Sequence, residues 1–527
     1  MSMSDNCEPE KQRLRLQEAL DAAKSQKERN RLGQFATPTA LAIEMLELAK
    51  MLIPQSRPIR FLDPALGIGS FYSALLRCFG RRRIKSAVGY EIDPYYGKPA
   101  SRLWKGTPLE LRLADFTRAK PPAEELEKAT LIVCNPPYVR HHHLGAHAKQ
   151  RLRLASAEAA AVDFNGLAGL YCHFVSLAHA WMAHDALALW LIPGEFMDVN
   201  YGKTLKEYLV SRVTLLRIHR FDPNEVQFED ALVSSTVVCL RNSPPEAQQH
   251  VEFTYGGSLL RPERTRVIAQ GDLRPDRKWG RLALPTKDTG AADGQPEIGN
   301  FFEITRGIAT GANDFFILAE SRAGSLGIPD RFLKPILPGP RLLKTDEVRS
   351  DECDNPLLED RLFLLDCRLP EEEVRVKHPR LWNYLESGRA RGIHERYLCK
   401  HRSPWYAQEN RRPAPILCTY MGRKGTTGRA FRFILNHSQA IAANVYLLLY
   451  PKPVLARLLE EKPDLLKVIW NALTQIPPDV LTDAGRVYGG GLHKLEPKEL
   501  AAAPATTVLA VLPGGAALRE HQLSLSW

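Results

Sequence analysis

Leu131-Ile132-Val133-Cys134-Asn135-Pro136-Pro137-Tyr138 is the stretch whose reading decides the fold. Four apolar residues in a row read as a short buried strand, and two prolines end it abruptly because neither can donate to a sheet ladder. The product is a rigid turn at a strand's carboxyl end, where open α/β sheets bind their ligands. The turn presents one amide side chain, prolyl carbonyls that no ladder N–H need occupy, and one aromatic face. An amide oxygen and a backbone carbonyl together accept hydrogen bonds from an NH2 group, while a tyrosine ring stacks on a planar heterocycle. The chemistry expected is that of a nucleobase amine.

Outward from this stretch, short apolar runs alternate with amphipathic ones up to about residue 242, the pattern of βαβ units. Strands are expected at 59–62, 87–90, 109–113, 131–134 and 186–192, with 215–218 and 234–240 completing the sheet and leaving room for an antiparallel edge. Helices are expected at 70–79, 166–183 and 203–211. Residues 8–31 are highly charged and read as a solvated helix leading into the fold. Between 242 and 300 the composition shifts to Pro, Gly, Gln and charge, reading as a linker with a few strands. Beyond it, regular βα alternation stops and aromatic and basic residues lie close together. The division expected is a charged helix over 1–32, a catalytic domain over 33–245, a linker over 246–300 and a second domain over 301–527.

Asp63-Pro64-Ala65-Leu66-Gly67-Ile68-Gly69-Ser70-Phe71 follows the first strand and opens the first helix of the sheet. Its two glycines let the backbone turn tightly and approach a ligand. The third glycine of the dinucleotide fingerprint is absent, which argues against a pyrophosphate. Tyr90-Glu91-Ile92-Asp93 ends the second strand with a carboxylate suited to ribose hydroxyls. Asp115-Phe116 follows the third strand, offering an acceptor for an adenine amine and a ring to pack on it. Singly, a strand-end carboxylate is a helix cap and a glycine pair is a turn. The order carries the weight: the four motifs stand 20 to 30 residues apart, about one βα unit each, so all fall on one edge of one sheet.

In this order the chain resembles the amino-methyltransferases that use S-adenosylmethionine, and in particular the TaqI-like, gamma-class N6-adenine DNA methyltransferases of type II restriction–modification systems. Gly33-Gln34-Phe35-Ala36-Thr37-Pro38 is similar to the family segment that covers the cofactor's methionine end. Asp63-Pro64-Ala65-x-Gly67-x-Gly69, Glu91-Ile92-Asp93, Asp115-Phe116 and Asn135-Pro136-Pro137-Tyr138 match its later motifs, and Ile192-Pro193 and 228–234 its last blocks. Leu66 departs from the family, which often has cysteine there. The resemblance is strong over about 30–245; beyond it only 305–311 and 488–491 resemble the ends of the family's target-recognition region.

The resemblance implies an α/β fold: a doubly wound, mostly parallel, seven-stranded Rossmann-like methyltransferase sheet with a second, mixed α+β target-recognition domain. It implies that Phe35, Thr37, Pro38, Asp63, Ala65, Gly67, Gly69, Glu91, Ile92, Asp115 and Phe116 hold S-adenosylmethionine. Asn135, Pro136, Pro137 and Tyr138 would carry catalysis. An exocyclic adenine amine is a poor nucleophile because its lone pair is delocalised. Hydrogen bonds from it to the Asn135 oxygen and the Pro136 carbonyl would free that pair for in-line attack. Such a base must be flipped out of the duplex, with Tyr138 stacked on one face and, by the family match, Phe228 on the other.

The whole chain is compatible with this. At 527 residues it is too long for one ordinary core, and 44% hydrophobic with 25% charged residues is a globular composition. A formal charge of +11 favours a polyanionic partner, here double-stranded DNA. No apolar run approaches the roughly 20 residues of a membrane span. Nine scattered cysteines without a C-x-x-C pair suit a reducing cytoplasm and argue against structural zinc. His141-His142-His143 invites a metal reading, but consecutive residues cannot all face one ion, so a polar or DNA-facing turn is expected and no metal. The Tyr171, His173 and Phe174 stretch reads as core. Sequence recognition falls to the second half, with Arg411, Arg412, Arg423, Lys424, Arg429 and Arg432 as candidate DNA contacts.

Rival readings are an RNA or protein-glutamine methyltransferase, which would lack so long a basic C-terminal region, and a fused restriction–modification enzyme, for which no nuclease cluster is evident. A catalytically dead DNA-binding module conflicts with the intact tetrapeptide and glycine loop. Cytosine amino-methylation is a subtler alternative, although the family members that carry it out more often have Ser or Asp at the tetrapeptide's first position. The expectation is a cytoplasmic, monomeric DNA adenine methyltransferase acting beside a separate restriction endonuclease.

Overall fold

The structure is a computed structural model that describes residues 7–25, 28–29, 33–222, 235–246, 248–280, 282–283, 295–425, 428–488 and 491–513. The chain divides into two compact units, Met1–Lys287 with Tyr488–Gly490, and Asp288–Val487 with Gly491–Trp527.

The first unit is built on one nine-stranded sheet. Its strands are β1 (Ile59–Asp63), β2 (Ile84–Tyr90), β3 (Leu109–Arg112), β4 (Ala129–Cys134), β5 (Met182–Pro193), β6 (Thr214–Arg220), β7 (Ser235–Arg241), β8 (His250–Gly257) and β9 (Pro262–Ala269). They lie in the order β3-β2-β1-β4-β5-β7-β6-β8-β9. β1 to β5 are mutually parallel, and β7 runs antiparallel between β5 and β6. The expected seven-stranded, mostly parallel sheet is therefore present, its antiparallel strand β7 lying inside it rather than at the edge, and two further strands extend it. β8 pairs parallel with β6 and β9 closes the sheet antiparallel. The few strands expected within 246–300 are β8 and β9, which belong to the sheet of the first unit. Part of the charge that suggested a linker belongs to an edge strand: β9 is exposed along most of its length, so its side chains read as solvent-facing.

Helices cover both faces. The one face carries α1 (Cys7–Ala22), α2 (Thr39–Leu52) and α3 (Ser70–Cys78), then α4 (Pro94–Leu103); the other carries α5 (Ala146–Ala160), α6 (Leu170–His179) and α7 (Lys203–Ser211). The central strands alternate between these layers. In β4, Leu131 and Val133 face α2 and α3, while Ile132 and Cys134 face α6. Both faces being buried is why β4 reads as an unbroken apolar run rather than an alternating one. Helix α6 is shorter than the expected 166–183: Gly169 sits extended at its start, and the chain beyond His179 is drawn into a long β5. Tyr171, His173 and Phe174 are core as read, 2, 4 and 6% exposed.

Strand order reverses between β1 and β4, which pair directly. The glycine loop after β1 and the Asn-Pro-Pro-Tyr turn after β4 thus straddle the switch point, where such sheets bind ligands.

The second unit is mixed α+β, as expected. A five-stranded sheet orders Phe302–Arg306, Tyr446–Pro451, Ile416–Thr419, Phe433–Asn436 and Glu347–Val348, and a three-stranded one orders Ile317–Ala319, Leu362–Leu365 and Leu333–Ile336. Among the described residues no helix is long and apolar enough to cross a membrane, and the eight cysteines from Cys78 to Cys418 are free thiols.

Candidate active site

Asn135 is the pivot of the site. Its side-chain Nδ2 donates to the Phe35 carbonyl at 3.1 Å and to Thr37 Oγ1 at 3.2 Å. A backbone carbonyl can only accept, so this contact fixes which end of the amide is which. The NH2 is turned inward and the amide oxygen is left to face away from it. Residues 33–38 are thus wrapped against the tetrapeptide. Gly33, at φ +65°, lies so close that a Cβ there would stand 2.4 Å from Tyr138 N, which is why no other residue fits. Phe35 and Tyr138 have ring centroids 5.8 Å apart. The Tyr138 hydroxyl donates to the Leu191 carbonyl at 3.1 Å, fixing the ring against the end of β5, and burial pushes its ionisation well up. Pro38 sits at the start of α2. Thr37 was expected to touch the cofactor; what the structure gives its hydroxyl is Asn135.

The glycine loop is tied to the neighbouring strand ends. Leu66 N donates to the Tyr90 carbonyl at 2.7 Å and Gly67 N to Glu91 Oε2 at 3.0 Å. The other Glu91 oxygen accepts from Asp93 N at 2.7 Å. Glu91 is 9% exposed, and burial raises its carboxyl above the ordinary value against these backbone bonds. Each oxygen keeps a second lone pair for a hydroxyl. The two glycines do different work. A Cβ on Gly67 (φ +58°) would meet nothing within 4 Å, whereas one on Gly69 (φ +89°) would strike the Trp104 ring at 2.6 Å. Gly67 opens a cradle; Gly69 permits packing. Leu66, the departure from the family pattern, is buried over Gly89 and leaves the loop's turn intact.

Asp63 lies beneath this loop, 1% exposed. One oxygen accepts from Ala65 N at 3.1 Å; Oδ2 is buried with no N–H or O–H donor, and the weakly donating Cys134 thiol lies beside the carboxylate. Burial first, and the charge of Glu91 in addition, push its carboxyl up to about 7. Ile92 stands 66% exposed at the end of β2, an apolar side chain held open at the sheet edge. Asp115 caps the turn that follows β3, its Oδ1 accepting from Thr117 N at 2.9 Å and Thr117 Oγ1 at 2.7 Å, while Oδ2 stands 3.3 Å from Arg118 Nε. The Phe116 ring is 3% exposed and packs among Tyr90, Phe174 and Trp181 at centroid distances of 5.4, 5.5 and 5.4 Å.

An orphaned buried carboxylate oxygen, an uncrowded glycine and an exposed apolar side chain at one sheet edge fit a cofactor that combines cationic and flat apolar parts. S-adenosylmethionine is such a molecule. Asp63, Gly67, Glu91, Ile92 and Asp115 are the residues that would hold it.

Sequence reasoning missed the N-terminal contribution. The helix read as solvated is docked, with Arg13 1% exposed, and Lys24 and Gln34 both reach Asp93 Oδ2, at 2.7 and 3.0 Å. Burial works against the Asp93 charge, but hydrogen bonds from Gln34, Lys24 and Tyr95 N outweigh it and hold its carboxyl below the usual range. A signal was present: Arg13, Leu16, Leu20 and Lys24 recur at helical spacing on one face.

Phe228 lies outside the described residues. His141–His143 form a single 3-10 turn, and among the described residues no cluster of three or more His, Cys, Asp or Glu could hold a metal ion. In the second unit the candidate DNA contacts engage several different partners. Arg411 pairs with Glu409 at 3.3 Å and Arg412 lies over the Tyr450 ring at 4.9 Å. Arg423 ends the short strand Met421–Arg423, Lys424 reaches Asp479 at 3.6 Å, and Arg429 donates to the Thr474 carbonyl. Arg432 is fully committed, donating to Asp346 Oδ1 and to the carbonyls of Pro340, Leu343 and Thr345.

Two family models match the chain, an Eco57I restriction-modification methylase over residues 108–227 and the C-terminal domain of the type II methyltransferase M.Eco57I over 278–516. The type II methyltransferase M.XamI of Xanthomonas campestris pv. amaranthicola is 27% identical over 484 residues, covering 89% of this chain and 84% of its own length. The type II methyltransferase M.AccI of Acinetobacter calcoaceticus is 26% identical over 491 residues, covering 90% and 85%. Among solved structures, the type IIL restriction-modification enzyme MmeI in complex with DNA is alike in fold, with a TM-score of 0.54 at 12% identity, covering 96% of this chain and 81% of that one.

Proposed function

We propose that this chain, a type II methyltransferase homologue with both matched segments of the Eco57I-type restriction–modification methylases, methylates the exocyclic amine of a flipped adenine in double-stranded DNA. S-adenosylmethionine, when bound, supplies the methyl group on a sulfonium. The observation that carries the reading is the fixed Asn135 amide. With its NH2 held by Phe35 and Thr37, its oxygen is available to accept from a substrate NH2 beside the Pro136 carbonyl. Two such bonds draw the amine nitrogen toward tetrahedral geometry and free its lone pair. The extra proton leaves afterward, so no strong base is needed first. The Tyr138 ring, held by its hydroxyl bond to Leu191, supplies a stacking face worth on the order of 1–3 kcal/mol. Phe228 is assigned the opposite face, and Arg411, Arg412, Arg423, Lys424 and Arg429 the DNA backbone and bases. The enzyme acts as a monomer, one strand at a time, protecting DNA from a separate endonuclease.

The test is transfer of labelled methyl from S-adenosylmethionine to duplex DNA, RNA and protein offered in parallel, by wild type and Asn135→Ala. Label in DNA alone, lost in the variant, supports the reading. Label in RNA or protein but not in DNA overturns it.

A further inference from the structure

The N-terminal helix holds a half-buried ion pair with an unusual reach, its guanidinium buried and its carboxylate partly open. In α1, Arg13 Nε and Nη2 donate to the two carboxylate oxygens of Glu10 at 2.8 and 2.6 Å. The same guanidinium donates from Nη1 to Ser70 Oγ and from Nη2 to Thr39 Oγ1, both at 3.0 Å. The Thr39 hydroxyl donates in turn to Glu10 Oε1 at 2.6 Å. Burial works against the Glu10 charge, but hydrogen bonds from Arg13, Ser73 and Thr39 outweigh it and hold its carboxyl below the usual range. Taking such a pair partly out of water is costly unless its protons and lone pairs find partners, and four hydrogen bonds from the guanidinium supply them.

The two hydroxyls it reaches are not ordinary positions. Ser70 is the first residue of α3, directly after Gly67 and Gly69. Thr39 is the first residue of α2, two positions after Thr37, which holds the Asn135 amide. One guanidinium therefore pins the starts of two helices, one carrying the cofactor loop and the other the segment that orients the catalytic amide. The same helix also grips the segment that follows β2: Tyr95 OH donates to the Leu20 carbonyl at 3.0 Å and Tyr96 OH to Asp21 Oδ1 at 2.8 Å, at the start of α4. Both family models begin further along the chain, at residues 108 and 278, so neither match includes this helix.

We propose that Arg13 is a positioning residue for methyl transfer, holding the glycine loop and the Asn135-orienting segment in register with each other from the N-terminal helix. This rests on the reading of the glycine loop as an S-adenosylmethionine site. The two branches are separable. The Ser70 branch acts on cofactor binding and the Thr39 branch on the amide, hence on the chemical step.

The experiment uses the full chain with Ser70→Ala, Thr39→Val and the double variant Arg13→Met/Glu10→Met. Three quantities are read: the dissociation constant of S-adenosylmethionine by titration calorimetry, the single-turnover methylation rate at saturating cofactor, and the melting temperature. Ser70→Ala is expected to weaken cofactor binding about fivefold and leave the rate within about twofold. Thr39→Val is expected to do the reverse. The double variant, which strands no charge, is expected to show both losses. The two hydroxyl variants remove no charge, so they decide the matter even if the double variant does not fold. Unchanged binding and rate in all three, or losses that simply follow the melting temperature, would overturn the proposal while wild-type cofactor binding stood. Failure of the wild type to bind S-adenosylmethionine would remove the cofactor reading and the proposal together.

Discussion

Thr37→Val tests how the catalytic amide is held. The substitution is nearly isosteric, and Thr37 is 7% exposed, so the packing around the start of α2 is kept. What is lost is one of the two acceptors of the Asn135 NH2, the one at 3.2 Å, leaving only the Phe35 carbonyl at 3.1 Å. An unsatisfied, partly buried amide proton costs about 1–3 kcal/mol. If that cost is felt where Asn135 must hold its oxygen on the amine, the chemical step slows by about 5- to 150-fold. The assay is single-turnover methylation of duplex DNA at saturating S-adenosylmethionine, with cofactor and DNA dissociation constants measured alongside. The rate should fall within that range and both dissociation constants should stay within about twofold. Thr37→Ser should restore the rate. A wild-type rate in Thr37→Val, or a loss confined to cofactor affinity, would refute the amide-holding role and return Thr37 to the cofactor.

Three further outcomes follow from the geometry. Burial raises the Asp63 carboxyl from 3.8 to about 7, so between those values the folded chain keeps a proton that the unfolded chain has released. Its contribution to stability is full below about pH 4 and declines as pH rises to about 7; cofactor affinity, which favours the charged carboxylate, should strengthen through about pH 7 in wild type and lose that component in Asp63→Asn, measured by calorimetry across pH. Gly69→Ala should depress the melting temperature sharply because its Cβ meets Trp104, whereas Gly67→Ala, with open space and a left-handed backbone costing roughly 1–2 kcal/mol, should act chiefly on cofactor affinity. In the second unit, Arg412→Ala and Lys424→Ala should each reduce the salt dependence of DNA binding by about one unit of slope, while Arg432→Met should lower the melting temperature and leave that slope alone, because its donors are all spent on the 340–346 loop.

Much of this site could be read before any coordinates because its chemistry is local. An apolar run ended by two prolines is a strand and a turn in any context, and Asp63, Glu91, Asp115 and Asn135 fall on one edge because a βα unit has a nearly fixed length. What could not be read was which side chains the core would claim. Phe116 follows an acidic strand end as a cofactor-packing ring would, and three aromatic neighbours from other elements pack around it. Arg13 sits in a helix so charged that one buried guanidinium has no local mark beyond its spacing from Leu16 and Leu20, and its partners Ser70 and Thr39 are 57 and 26 positions away. Edge strands hide for the opposite reason: β9 is solvent-exposed, so its composition is that of a loop. Arg432 looked like its basic neighbours, and only its four backbone and carboxylate partners set it apart.

The most direct measurement of the central claim is the identity of the modified nucleoside. Duplex DNA methylated by the wild-type chain would be digested to nucleosides and resolved by mass spectrometry. The account predicts N6-methyladenine, absent from DNA treated with Asn135→Ala. N4-methylcytosine as the product, or no methylated nucleoside despite cofactor binding, would contradict it.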